Sequence, residues 1–177
     1  MNFKEITTKR ASCRAYEDKK VDRELIVEIL KETINSPSAC NSQPWKFFVC
    51  DSEKTNDLAL ALRMDDRPTN MWATQVPAFI VICESKATLM KSLKCDSQTY
   101  AQMDIGIATA TMCYSATSKG LSSCIIGVFK EQEIKDLLNI SDDLKVRLVI
   151  SLGYGSKDGV REKARKDFDE LVSFNWY

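Results

Sequence analysis

The chain contains no histidine. That removes Ser–His and Cys–His nucleophile pairs, the usual imidazole general base and histidine-liganded metals. It carries no net charge either, because 25 Lys and Arg offset 25 Asp and Glu. No global basic field draws it to nucleic acid or to an anionic membrane, so an anion site has to be a local cluster of cations. The seven cysteines include no C-x-x-C, the nearest two being Cys40 and Cys50. Zinc and iron–sulfur spacings are therefore missing, no metal is expected, and an odd count does not suit a disulfide framework. Neither G-x-x-x-x-G-K-[ST] nor a G-x-G-x-x-G between strand and helix occurs, which removes support for a Rossmann nucleotide domain. With only six Gly and four Pro there is no flexible linker, and no internal repeat is found. No stretch approaches ~18 uncharged apolar residues, and the opening MNFKEITTKR lacks a signal-peptide apolar region.

The 177 residues predict one domain over 1–177, long enough to bury a core with a pocket. A hydrophobic share of 44% with 28% charge is that of a soluble globular protein. Several cysteines sit in apolar runs (FFVC, FIVIC, SSCIIG), where a free thiol packs as a small hydrophobe. Buried free thiols suit a reducing cytoplasm.

Hydrophobic patterning predicts helices over 3–9, 22–35, 98–119 and 131–138, and one from Ser52, as N-cap, to Leu62. Leu25, Ile26, Ile29, Leu30, Thr33 and Ile34 form an apolar stripe behind Asp22 as N-cap, and Ser36-Pro37-Ser38 stops that helix. Gly120 is the natural C′ residue of the long helix, whose Gly106, Ala108, Ala110 and Ala116 admit another helix closely. Buried strands are expected at Trp45–Cys50, Ala78–Cys83 and Val146–Leu152, with a third apolar run at Ser123–Phe129. Residues 63–75 read as a surface loop, and Gly153-Tyr154-Gly155 as a turn. Interleaved helices and strands indicate α/β or α+β around a central sheet, with FIVI and RLVISL covered on both faces.

Three stretches carry candidate chemistry. Arg10, Ser12 and Arg14 alternate, so an extended backbone puts two guanidiniums and a hydroxyl on one side, suited to a phosphate and a carbonyl-bearing ring. Arg161, Lys163, Arg165 and Lys166 form a second basic cluster. Each of these cations read alone is a solvated surface charge. Ser36-Pro-Ser-Ala-Cys-Asn-Ser-Gln-Pro-Trp45 is polar and bracketed by prolines. It is either a connection whose Asn and Gln satisfy turn backbone, or a rigid loop presenting Ser38, Asn41 and backbone to a planar polar ligand.

Taken in order, Arg10-x-Ser12-x-Arg14-x-Tyr16, Pro37-Ser38-x-x-Asn41-x-Gln43-Pro44-Trp45, Gly120-Leu-Ser-Ser-Cys-Ile-Ile-Gly127, Gly153-Tyr154-Gly155 and Lys163-Ala-Arg165 resemble the nitroreductase family of FMN-dependent NAD(P)H oxidoreductases. The resemblance spans nearly the whole chain. It implies an α+β fold, with a central, mainly antiparallel sheet flanked by helices, and a homodimer joined through long helices with FMN held tightly at the interface. Carried over by position, Arg10, Lys163 and Arg165 contact the FMN phosphate, and Ser12 and Arg14 face the pyrimidine side. Pro37, Ser38 and Asn41 approach the same flavin from the other subunit, and backbone N–H groups around Ile126 and Gly127 point at flavin N5. The implied activity is ping-pong hydride transfer from NAD(P)H to a nitroaromatic or quinone-like acceptor at one open flavin face, with Arg14, Ile126 and Gly127 tuning the flavin and no side chain doing the chemistry.

Other flavin chemistry of the family (reductive dehalogenation or oxidation) and a non-catalytic flavin-binding module are the alternatives. The expected partners are a second copy of the chain and a small aromatic acceptor, with no nucleic acid and no membrane. Asp104 is expected to make a structural hydrogen bond, and Cys13 and Cys40 to be filler. Asn70 aligns poorly with the Asn or Lys that many relatives carry near flavin N1. Arg67 and Trp72 line the pocket mouth or, for Trp72, pack.

Overall fold

The computed structural model describes residues 1–51, 53–88, 97–156 and 163–174. Ser52, expected to cap a helix, and Arg161 of the basic cluster lie outside the described residues. The described elements run α1 (Phe3–Lys9), α2 (Arg23–Thr33), β1 (Trp45–Cys50), α3 (Thr55–Ala61), β2 (Ala78–Glu84), α4 (Ser97–Ser118), β3 (Ser122–Ile126), α5 (Glu131–Leu138), β4 (Lys145–Gly153) and α6 (Phe168–Leu171). The four strands form one sheet in the order β1-β2-β4-β3, every neighbouring pair antiparallel. Of the two classes left open by patterning, the fold is α+β.

Alternation along β2 divides the core. Phe79, Val81 and Cys83 face one layer with Leu58 and Leu62 at α3 and Ile134 of α5, while Ala78, Ile80 and Ile82 face the other with Ile26 and Ile29 of α2 and Ile105 and Met112 of α4. All seven residues of β2 are buried, as the uninterrupted FIVI run requires. Burial in the first layer pushes the Cys83 thiol up to about 11.

Some local expectations are corrected. β1 is an edge strand, and only Cys50 in it is buried. Its aromatic residues made it read as a core strand, yet each covers one face only. α2 ends at Thr33, because Asn35 and Ser36 turn back onto Glu32 and Thr33 at 3.2 and 3.0 Å ahead of Pro37. Asp22 holds the N-cap position without a capping side-chain bond. The 63–75 segment contains a 3-10 turn, Met71–Gln75, with Ala73 buried. Gly153-Tyr154-Gly155 is no turn, since it prolongs β4 as extended chain alongside residues 15–17: Tyr16 bridges Gly155, and Glu17 N–H donates to the Tyr154 carbonyl at 2.8 Å. The run after Ser123 leaves the sheet at Ile126, and Val128 is exposed.

The C-terminal end of α4 follows expectation. Gly120 has φ +82°, its N–H donates to Thr117, and Leu121 N–H donates to Ala116 at 2.9 Å. This closes the helix by the two-bond arrangement that only a left-handed residue allows. The tight ending drops the chain directly into β3.

Candidate anion- and cofactor-binding site

After α1 the chain runs extended beside β3. Ser12 pairs with Ser123 by a single parallel bridge, and the Cys13 N–H donates to the Ser123 carbonyl at 3.0 Å. Tyr16 anchors this segment. Its buried hydroxyl lies 3.1 Å from the Cys13 carbonyl, to which it donates, and 2.7 Å from Ser151 Oγ. Burial pushes the phenol well above its ordinary value, so it serves as a neutral strut and not as an acid.

So anchored, Arg10, Ser12 and Arg14 line one pocket with Lys163, Ala164 and Arg165, of about 270 Å³. The two basic clusters, some 150 residues apart in sequence, meet. No carboxylate among the described residues lines the pocket. Among the described residues the guanidinium groups of Arg10 and Arg14 have no hydrogen bond or ion pair, whereas Arg23 grips Asp51 at 2.8 and 2.9 Å and Arg147 is bonded to Glu84. The Lys163 ammonium is held below its ordinary value by burial and then by repulsion from Arg10 and Arg165. Cations that repel one another without a counter-charge fit a site that an anion completes. Lys166 is exposed and does not line it.

Two buried thiols lie near these cations. Burial pushes Cys113 and Cys124 up, against the opposing pull of Arg10 on both and Arg14 on Cys124. Burial thus favours the neutral thiol in both; Cys13 is buried in the core as a packing residue, whereas Cys40, expected to be filler too, is exposed.

β3 lies at the sheet edge beside this pocket. In an antiparallel pair both polar groups of one residue point the same way and alternate along the strand. The Ser123 carbonyl faces outward to Cys13, so the Ile125 amide is directed to the same open edge, and Gly127 follows one step past the strand. Ile126 is buried and pairs with Val149 of β4. Gly127 is exposed, and a Cβ there would meet only Leu148 Cδ2, at 3.9 Å. Nothing among the described residues requires a glycine at that point, which fits a flat body passing close to the backbone. A row of cations at one end and an open peptide edge at the other suit a group with a phosphate and a planar ring.

The 36–45 loop does not line the cationic pocket of its own chain. Asp104 of α4 fixes it, accepting the Ala39 N–H at 3.1 and 3.2 Å on its two oxygens, which is the structural hydrogen bond expected. Cys40, Asn41 and Gln43 all have positive φ, and Ser38 Oγ accepts the Gln43 N–H at 3.0 Å. Three left-handed residues cost of order 1 kcal/mol each, so the loop is held in one shape. Pro37, Asn41 and Cys40 are exposed on it.

Asn70 spans two elements, its side-chain amide donating to the Leu62 and Val128 carbonyls at 2.9 and 3.2 Å. Nothing in the spacing of the sequence announces that cross-link. Trp72 stacks on Tyr16 with centroids 6.1 Å apart and packs on the core, while Arg67 is exposed. A larger cavity, about 810 Å³, lies elsewhere, between Glu17, Asp18, Lys19 and Lys20 on one side and Asp51, Thr74 and Gln75 on the other. Its mixed charges select no ligand. Among the described residues no helix is long and apolar enough to cross a membrane.

The model of the nitroreductase family matches residues 7–154. A protein of Archaeoglobus fulgidus named "Putative NADH dehydrogenase/NAD(P)H nitroreductase" is 33% identical over 166 residues, covering 91% of this chain and 86% of that one. The crystal structure of a nitroreductase family protein from Clostridium difficile 630 superposes with a TM-score of 0.82 at 28% identity, covering 100% of each chain. An FMN-dependent nitroreductase from Clostridium difficile R20291 superposes with a TM-score of 0.75 at 26% identity, covering 97% of this chain and 98% of that one.

Proposed function

Because the chain belongs to the nitroreductase family, we propose that it is an FMN-dependent oxidoreductase that passes hydride from NAD(P)H to flat acceptors, nitroaromatic or quinone-like. The observation that carries this reading is the pocket, with no carboxylate among its described lining, where Arg10, Ser12 and Arg14 meet Lys163 and Arg165. When bound, FMN supplies the hydride chemistry, taking and giving it at N5.

The chain's own part is to bind, orient and tune. Arg10 and Arg165, with Lys163, form the phosphate end. Arg14 and Ser12 serve the pyrimidine side, where a guanidinium stabilises negative charge and so favours two-electron over one-electron reduction. The open peptide edge just past Ile126, at Gly127, supplies an N–H for N5, while the Ile126 amide itself faces β4. Pro37, Ser38 and Asn41, clamped by Asp104, complete the ring site of a partner subunit.

Pairing through α4 is supported by its surface. Tyr100, Met103 and Ile107 are spaced along one helix face and are 41%, 61% and 42% exposed. Gly106 sits among them, and a Cβ added there would meet nothing within 4 Å. A glycine inside a helix costs ~1 kcal/mol relative to alanine, which a close-approaching second helix explains and this protomer does not. We place the dimer in the cytoplasm, where buried Cys13, Cys50, Cys83, Cys113 and Cys124 stay reduced.

The test is purification with added FMN. A yellow protein whose flavin is bleached by NADH or NADPH and re-oxidised by a quinone supports the reading. A colourless protein that takes up no FMN overturns it. Arg14→Ala is expected to shift the flavin potential and slow turnover, and unchanged values for both would contradict its role.

A further inference from the structure

We propose that Lys163 is a positioning residue, a clamp that ties the C-terminal segment to α1 so that Arg165 faces Arg10 and Arg14. The inference rests on the FMN reading above and refines it, because it takes Lys163 away from direct contact with the phosphate.

Lys163 Nζ donates to two main-chain carbonyls in the last turn of α1, those of Thr7, at 2.9 Å, and Thr8. The last carbonyls of a helix have no partner within it, and they carry the negative end of its dipole. An ammonium is the group that answers both needs. Two of its three N–H donors are therefore committed to backbone 155 and 156 residues away in sequence. Lys163 is half-buried there, while Arg165, two residues on, is exposed and among the described residues bonds to the neighbouring Ala164 carbonyl. Arg10 follows α1 directly, its N–H closing the helix onto Ile6. One clamp thus sets the distance between the two basic arms. The planar guanidiniums, with five donors each, are left to meet the phosphate.

The test has two arms. In FMN-free protein, hydrogen exchange over 163–174 and the end of α1 is followed in Lys163→Met, which loses the donors, and in Lys163→Gln, which keeps N–H donors without charge. Faster exchange in Lys163→Met that Lys163→Gln largely restores is expected, and equal exchange in parent and Lys163→Met overturns the clamp. In the second arm FMN is titrated by fluorescence quenching into parent, Lys163→Met, Arg165→Met and the double variant. A loss of about tenfold in Lys163→Met that shrinks below about twofold in the Arg165→Met background is the signature of one residue acting through the other. A tenfold loss that persists in that background makes Lys163 an independent phosphate ligand and overturns the proposal. A parent that takes up no FMN sinks the functional reading, and the exchange arm still decides the clamp.

Discussion

Replacing Gly127 by alanine separates what the fold needs from what the cofactor needs. The added methyl meets only Leu148 Cδ2 at 3.9 Å, an ordinary contact, and the backbone there is not left-handed. The folded chain therefore accepts it without strain. The unfolded chain loses freedom, so the substitution stabilises by roughly 0.4–1 kcal/mol. For a domain of this size that raises the midpoint by about 1–4 °C. A planar ring lying against the same peptide meets the methyl directly. Overpacking a fitted contact costs about 1–3 kcal/mol, which is a loss of about 5- to 150-fold in FMN affinity.

Both numbers come from one preparation stripped of flavin. Differential scanning fluorimetry without FMN reads the first, and quenching of added FMN reads the second. The expected result is a protein at least as stable as the parent that binds FMN markedly more weakly. If affinity is unchanged, Gly127 does not border the flavin and the assignment of the β3 edge fails. If the flavin-free protein is instead destabilised by more than 1 kcal/mol, the glycine is structural and the space beside it has been misjudged.

Gly155→Ala is expected to do the opposite, since its Cβ would lie 2.5 Å from Ser122 Oγ and 3.0 Å from Cys13 Sγ; a loss of about 1–3 kcal/mol by urea titration is predicted, and an unchanged midpoint would refute it. Met103→Glu places a charge on the exposed face of α4 and should shift the protein to monomer in size-exclusion chromatography and lower FMN uptake; an unaltered dimer would move the interface elsewhere. The Arg23–Asp51 pair gives a pH signature, because hydrogen bonding to Arg23 holds the Asp51 carboxyl below its ordinary value. A depressed folded pKa contributes stability that is present above the unfolded value near ~3.9 and is lost as pH falls through the folded one. The melting difference between parent and Arg23→Met should therefore be present at neutral pH and vanish in acid, and a difference constant with pH would contradict the pairing.

Much of the fold was readable because it rests on short-range pattern. α1 and α5 run where hydrophobic patterning predicts, and Gly120 ends α4 for a reason a sequence displays, a glycine free to take the left-handed φ that closes a helix. β1 misled because WKFFVC has core composition, and only the strand order shows it at an edge. Gly153-Tyr154-Gly155 misled because two glycines suggest a turn, whereas here they make room: the neighbours of Gly153 are Pro77 and Tyr16, each 2.8 Å from a would-be Cβ. Close packing between residues remote in sequence leaves no periodic trace.

The site divides the same way. Arg10, Ser12 and Arg14 could be placed on one side by alternation alone, but their meeting with Lys163 and Arg165 depends on tertiary closure. The carbonyls that receive Lys163 belong to two threonines and could belong to any residue, so no side-chain pattern announces them. Glycine shows most plainly what sequence cannot separate. At Gly155 a side chain is excluded by neighbours within the chain, whereas at Gly106 and Gly127 nothing among the described residues excludes one. The first kind serves the protomer's own packing. The second kind has to be explained by bodies outside it, and the two instances lie where a partner helix and a flat cofactor are proposed to approach. If both Gly106→Ala and Gly127→Ala left assembly and FMN binding untouched, the dimer and flavin assignments would lose their steric support together.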